Sequence, residues 1–146
     1  MQNKTNRFIE NRILIIRKMI TLYYTLSSNS SKRALDWFQS RDIKVCKKRS
    51  FEVTREDLIR ILLLSETGFS VFLKNRRNTG QEIKNKLDFI ETLTFEEAVN
   101  YIVVHPEVMR FPITFDNKRL LVGFHIEEIR QFIPRGHRLH NNNNKK

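Results

Sequence analysis

An apolar, β-prone run from Met19 to Tyr24 leads into the polar stretch Leu26-Ser27-Ser28-Asn29-Ser30-Ser31-Lys32-Arg33, and a helical apolar pattern (Ala34, Leu35, Trp37, Phe38) opens directly after it. The continuous β-branched and aromatic run predicts a buried strand over Ile20 to Tyr24. Ser30 or Ser31 is expected to cap a helix that reaches about Arg41. A strand feeding a short turn onto a helix N-terminus places free backbone N–H groups and the positive end of the helix over the turn, an environment that stabilises a thiolate. Here the positions that would hold a Cys-x-x-Cys pair read Ser28-x-x-Ser31. A serine hydroxyl forms no disulfide and is a weak nucleophile without an activating base. No His, Asp or Lys is placed by the sequence to act as that base. The framework of a reactive turn is therefore expected without its chemistry, which points away from an enzyme.

The 146 residues correspond to one ordinary domain, and an apolar fraction of 40% is enough to build a core. Lys and Arg number 27 against 16 Asp and Glu, a net charge of +11 that favours acidic partners. Cys46 is the only cysteine, so no intramolecular disulfide is available. In a strand-like stretch it reads as a small buried hydrophobe. The four histidines are scattered (His105, His125, His137 and His140) and suggest no metal set. No cofactor motif is present, and no segment has the length of a membrane span.

Ile43 to Arg49 is the second strand candidate. Thr54-Arg55-Glu56-Asp57 resembles a capping box with Asp in place of Glu and opens an apolar helix through Leu58, Ile61, Leu62 and Leu64, with Gly68 as its expected C-cap. A basic stretch follows, with a short helix predicted near Gln81 to Leu87. Thr94-Phe95-Glu96-Glu97 is a full capping box. The recurrence of Phe95, Ala98, Val99, Ile102 and Val103 is strongly amphipathic, up to a stop at Pro106. Ile113 to Phe115 and Arg119 to Val122 read as a hairpin turned by Asp116-Asn117, with Gly123 breaking its second strand. Ile126, Ile129, Phe132 and Ile133 predict a last helix, ended by Pro134. Residues 1–18 read as an extension ahead of a start at Met19, either disordered or a loose helix with Phe8, Ile9, Ile13 and Ile16 on one face. Residues 135–146 read as a disordered basic, Asn-rich tail.

The order β-α-β, helical block, β-β-α predicts an α/β fold: a thioredoxin-like core (19–53 and 106–134) with a mixed four-stranded sheet and an inserted helical subdomain (54–105). From Met19 to about Leu139 the chain resembles the Spx branch of the arsenate-reductase-like family. The carrying residues are Ile20-Thr21-Leu22-Tyr23, the Ser-x-x-Ser turn with Lys32-Arg33-Ala34 and Trp37, and Ile61-Leu62 through Glu66-Thr67-Gly68. Later come His105-Pro106, Arg110-Phe111-Pro112-Ile113, Lys118 through Phe124, and Glu128 through Arg135.

The resemblance implies a cytoplasmic, non-enzymatic regulator, monomeric when free, that binds the C-terminal domain of the RNA polymerase α subunit and modulates stress genes. It implies contact through Gly68, Glu66, Ser65, Thr25, Ser27 and Lys32. Gly68 would lie in a turn where a side chain obstructs docking. Lys74, Arg76, Arg77, Lys84 and Lys86 form the densest internal basic patch and suit promoter-DNA phosphates, with Arg76 foremost because it aligns with a family arginine. The family's redox pair falls on Ser28 and Ser31. Its arginine before the loop proline falls on Phe111, which presents no donor to an oxyanion. The Phe111–Pro112 bond is expected to be cis by resemblance. Neither arsenate reduction nor a thiol–disulfide switch is then expected. The alternatives are a thiol-dependent reductase that uses Cys46 or an external thiol, and a decoy that competes with redox-active paralogues for the α subunit.

Overall fold

The computed structural model of the protein describes residue 7, residues 9–11 and residues 19–136. Residues 7 and 9–11 are helical. The other positions of the predicted extension, Phe8, Ile13 and Ile16 among them, and the tail from His137 lie outside the described residues.

Strand β1 (Ile20–Tyr24) is followed by α1 (Asn29–Ser40), β2 (Val45–Arg49) and α2 (Arg55–Leu64). After two short 3-10 turns come α3 (Gln81–Glu91) and α4 (Phe95–Val104), then the hairpin of β3 (Ile113–Phe115) and β4 (Leu120–Val122). Among the described residues the strands form one four-stranded sheet in the order β2-β1-β3-β4. β1 runs parallel to β2, with Ile20 opposite Val45 and Tyr24 opposite Arg49, and antiparallel to β3, with Thr21 opposite Phe115. β3 and β4 are antiparallel, Phe115 facing Leu120. The fold is the α/β arrangement that the element order predicts.

Because side chains alternate along a strand, β1 serves both faces of the sheet. Leu22 joins Ala34, Trp37, Phe38, Ile43, Leu121, Ile129 and Phe132 beneath α1. Tyr23 points the other way and joins Leu58, Ile61, Phe72, Ile102, Met109, Ile113 and Phe115 under the helical insertion. The insertion therefore shares its core with the sheet. An antiparallel bridge between Leu73 and Met109, with Lys74 N–H donating to Val108 O at 2.9 Å and Arg110 N–H to Phe72 O at 2.6 Å, ties the two together.

Several boundaries differ from the expectations. Ser28, not Ser30 or Ser31, caps α1: its backbone is still extended (φ −92°, ψ 123°), and its hydroxyl accepts the Ser31 N–H. β2 starts at Val45 because Ile43 is drawn back under α1, its N–H bonded to Phe38 O at 3.0 Å after Asp42 turns at φ 54°. α2 ends at Leu64 with Ser65 as C-cap, three residues before Gly68. Gly68, at φ +67°, instead opens a 3-10 turn through Val71, which it can do because it has no Cβ. α3 runs on to Glu91, since Ile90 carries the buried stripe of Leu87 beyond the predicted end. The last helix is one 3-10 segment, Glu128–Phe132. Its two buried anchors, Ile129 and Phe132, are three residues apart, the repeat of a 3-10 turn, while Ile126 stays exposed. Among the described residues no helix is long and apolar enough to cross a membrane.

Candidate docking cleft

The turn between β1 and α1 is held by its own hydroxyls. The Ser28 hydroxyl accepts the Ser31 N–H at 3.1 Å, and the fully buried Ser31 hydroxyl accepts the Thr25 N–H at 3.2 Å. Both oxygens are thus engaged with the backbone. Opposite them the chain crosses a cis Phe111–Pro112 bond, as the resemblance implies, and Pro112 O accepts the Gly123 N–H at 2.8 Å. Between the two lies a cleft of about 520 Å³. Thr25, Ser27, Ser28 and Ser30 form one wall; Phe111, Lys74, Arg110 and His125 line the rest.

No cysteine lines this cleft among the described residues. Phe111 is half-buried against the larger core and lends the cleft an aromatic ring beside Arg110 and Lys74. Lys74 and His125 reach the cleft without any signal in the sequence, because they come from the insertion and from the loop after β4. No hydrogen bond joins either to a serine hydroxyl among the described residues. Cys46 is elsewhere: it pairs with Thr21 near the start of β1, about 10 Å along the strand from Tyr24, where the serine turn begins. Among the described residues no group of three or more His, Cys, Asp and Glu side chains is arranged to hold a metal ion.

The strongest polar cluster is structural. Asp57, expected to close a capping box, turns into the core. Tyr23 donates to it at 2.5 Å, and Lys48 and Arg60 pair with it at 3.2 and 3.4 Å. Thr54 still caps α2 by accepting the Asp57 N–H at 3.1 Å. Burial, then the hydrogen bond and charge of Asp57, push the Tyr23 phenol far above its usual range. This bolts α2 to the sheet.

The remaining candidate residues fall in three places. Thr25, Ser27 and Lys32 stand at the serine turn, Thr25 half-buried and the other two exposed. Ser65, Glu66 and Gly68 form the turn after α2. There the Ser65 hydroxyl donates to Gly68 O at 2.9 Å, and a Cβ on Gly68 would meet nothing within 4 Å. The basic patch is divided. Arg76 is held by Asp88 at 2.9 Å and Glu91 at 2.6 Å, and Lys86 by Glu107 at 2.6 Å and Glu82 at 3.3 Å. Arg77 and Lys84 carry no ion pair among the described residues, and Lys74 faces the cleft.

A thioredoxin-like sheet with a helical insertion and a cis-proline loop opposite a helix N-terminus defines an arsenate-reductase-like protein. The ArsC family model matches residues 23–132. The chain is 37% identical over 119 residues to the global transcriptional regulator Spx 2 of Bacillus anthracis, covering 80% of this chain and 88% of that one. It is 33% identical, with the same coverage, to the global transcriptional regulator Spx of Staphylococcus aureus. An arsenate reductase from Vibrio cholerae superposes with a TM-score of 0.58 at 17% identity, over 78% of this chain and 94% of that one, a likeness of fold. The chain belongs to the ArsC family, in its Spx branch.

Proposed function

We propose that this protein is a non-enzymatic transcription regulator that docks on the C-terminal domain of the RNA polymerase α subunit and carries no thiol–disulfide switch. The observation that supports this most is the serine turn itself. Its hydroxyls accept backbone amides, Phe111 stands where the resemblance implies an arginine, and Cys46 lies away from the cleft. The likeness to regulators over most of the chain supports the same reading. In this reading Gly68, Glu66, Ser65, Thr25, Ser27 and Lys32 meet the α subunit. Phosphates of nearby promoter DNA fall to Arg77 and Lys84, because Arg76 and Lys86 are already paired. Control then rests on the amount of protein, or on competition with related regulators.

Capture of the isolated α C-terminal domain on immobilised protein tests the reading. Wild type is expected to bind. Gly68→Arg is expected to lose binding by more than about tenfold while the fold survives, since the side chain projects into open space and only the positive φ is penalised, by about 1–2 kcal/mol. Glu66→Lys, in an exposed position without that backbone penalty, is the companion variant. Absence of binding by folded wild-type protein rejects the proposal. Transcription in vitro then separates a regulator from a decoy that binds without effect. Arsenate turnover above buffer would favour the reductase.

A further inference from the structure

Lys74 and Arg110 flank the Leu73–Met109 bridge, and both side chains line two hollows at once: the serine cleft and a second groove of about 650 Å³ in the insertion. They form a cationic ridge between the two. Among the described residues neither meets a carboxylate. The Arg110 guanidinium donates to Val71 O at 2.5 Å, and the Lys74 ammonium has no hydrogen bond or ion pair among the described residues. No acidic residue lines the serine cleft. The one acidic residue lining the groove, Glu91, is neutralised by Arg76. The groove floor is apolar, built from Leu87, Ile90 and Ala98, and at its mouth Phe69 packs on Phe95 at 5.4 Å with Phe95 half exposed.

We infer that the ridge and groove receive an acidic peptide segment of the docked partner, its carboxylate on Lys74 and Arg110 and a neighbouring apolar side chain on Phe69 and Phe95. The inference rests on the docking reading and names the chemistry of the segment that docks. An ammonium and a guanidinium that line the same cleft and meet no carboxylate among the described residues attract one, and the guanidinium's planar fork suits it. The volume falls in the range of specific pockets, and buried aromatic anchors dominate binding at such places. A nucleic-acid duplex satisfies the ridge but offers no apolar side chain for the groove, so a peptide matches both features where a duplex matches one.

The test is fluorescence anisotropy with a short fluorescein-labelled peptide carrying a central phenylalanine flanked by glutamates. The controls replace the glutamates by lysines or the phenylalanine by alanine, and a labelled DNA duplex is measured alongside. The acidic phenylalanine peptide is expected to bind at least about tenfold more tightly than either control peptide, with affinity falling as salt rises. Lys74→Glu and Phe95→Ser are each expected to weaken it about tenfold. The Lys74 side chain makes no hydrogen bond or ion pair among the described residues, and the melting temperature of each variant verifies folding. No binding of the peptide, equal binding of the acidic and basic peptides, or unchanged affinity in folded Lys74→Glu overturns the inference. So does a duplex that binds more tightly than the peptide and is released by Lys74→Glu. Capture of the α domain by the same proteins keeps the two readings apart. Wild-type capture undiminished by Lys74→Glu sinks this inference and leaves docking standing, while peptide binding without capture of the α domain does the reverse.

Discussion

The Ser31 hydroxyl has no solvent exposure and one task, accepting the Thr25 amide. Ser31→Ala leaves that amide without its partner, at an expected cost of about 1–3 kcal/mol in urea denaturation. Ser28→Ala removes the α1 cap and is expected to cost about 1 kcal/mol. Ser27 and Ser30 are exposed and hold nothing in the fold, so alanine there is expected to change stability by no more than about 0.5 kcal/mol. Four serines identical in chemistry thus divide into two that build the turn and two that stand exposed on its surface. Tyr23→Phe tests the other buried polar contact: loss of its bond to the Asp57 carboxylate is expected to cost about 1.5–3 kcal/mol by the same measurement.

Among the elements, α4 shows how far a motif can be read. Thr94-x-x-Glu97 forms both bonds of its box, as the sequence predicts. The Glu97 carboxyl is held below its ordinary value by the Thr94 backbone bond and then by the Thr94 hydroxyl. Glu107 is also lowered: partial burial pushes it up, but the Lys86, backbone and His105 contacts outweigh that. A carboxyl depressed in the folded state contributes stability that is present above its unfolded pKa and lost as pH falls through the folded one. Thermal melts are therefore expected to decline on acidification through the carboxylate range and below, with a smaller acid loss in Glu97→Gln. The related stretch Thr54-x-x-Asp57 is half legible. Thr54 caps, but the shorter Asp side chain is claimed by Tyr23 and Lys48, a contact across the sheet that no local pattern encodes. The periodicity of Ile126 to Ile133 suggested a full helix; with only Ile129 and Phe132 buried, a 3-10 turn suffices.

At the scale of the whole molecule, one sheet carries two cores, and the insertion owns neither by itself. Phe72 sits in the core between insertion and sheet, so Phe72→Ala is expected to cost about 3–5 kcal/mol. Circular dichroism and Trp37 fluorescence, which report on helices and on the opposite core, are expected to shift together. This shared packing also explains what was legible of the site. The serine turn and the Phe111–Pro112 loop are contiguous motifs that the resemblance could align. Lys74 and His125 are distant in sequence from both and reach the cleft only through the Leu73–Met109 bridge and the loop after β4. Arg76, foremost by alignment, is drawn into a pair with α3 that the alignment does not reveal.

The central place of β1 has a consequence for biosynthesis. One of its neighbours, β2, follows within a single helix, but the other, β3, is translated only after the entire insertion. A ribosome-bound chain halted between β2 and Ile113 therefore carries β1 with the edge meant for β3 open, the kind of feature that invites mispairing. Completion of the sheet awaits the residues from Ile113 onward.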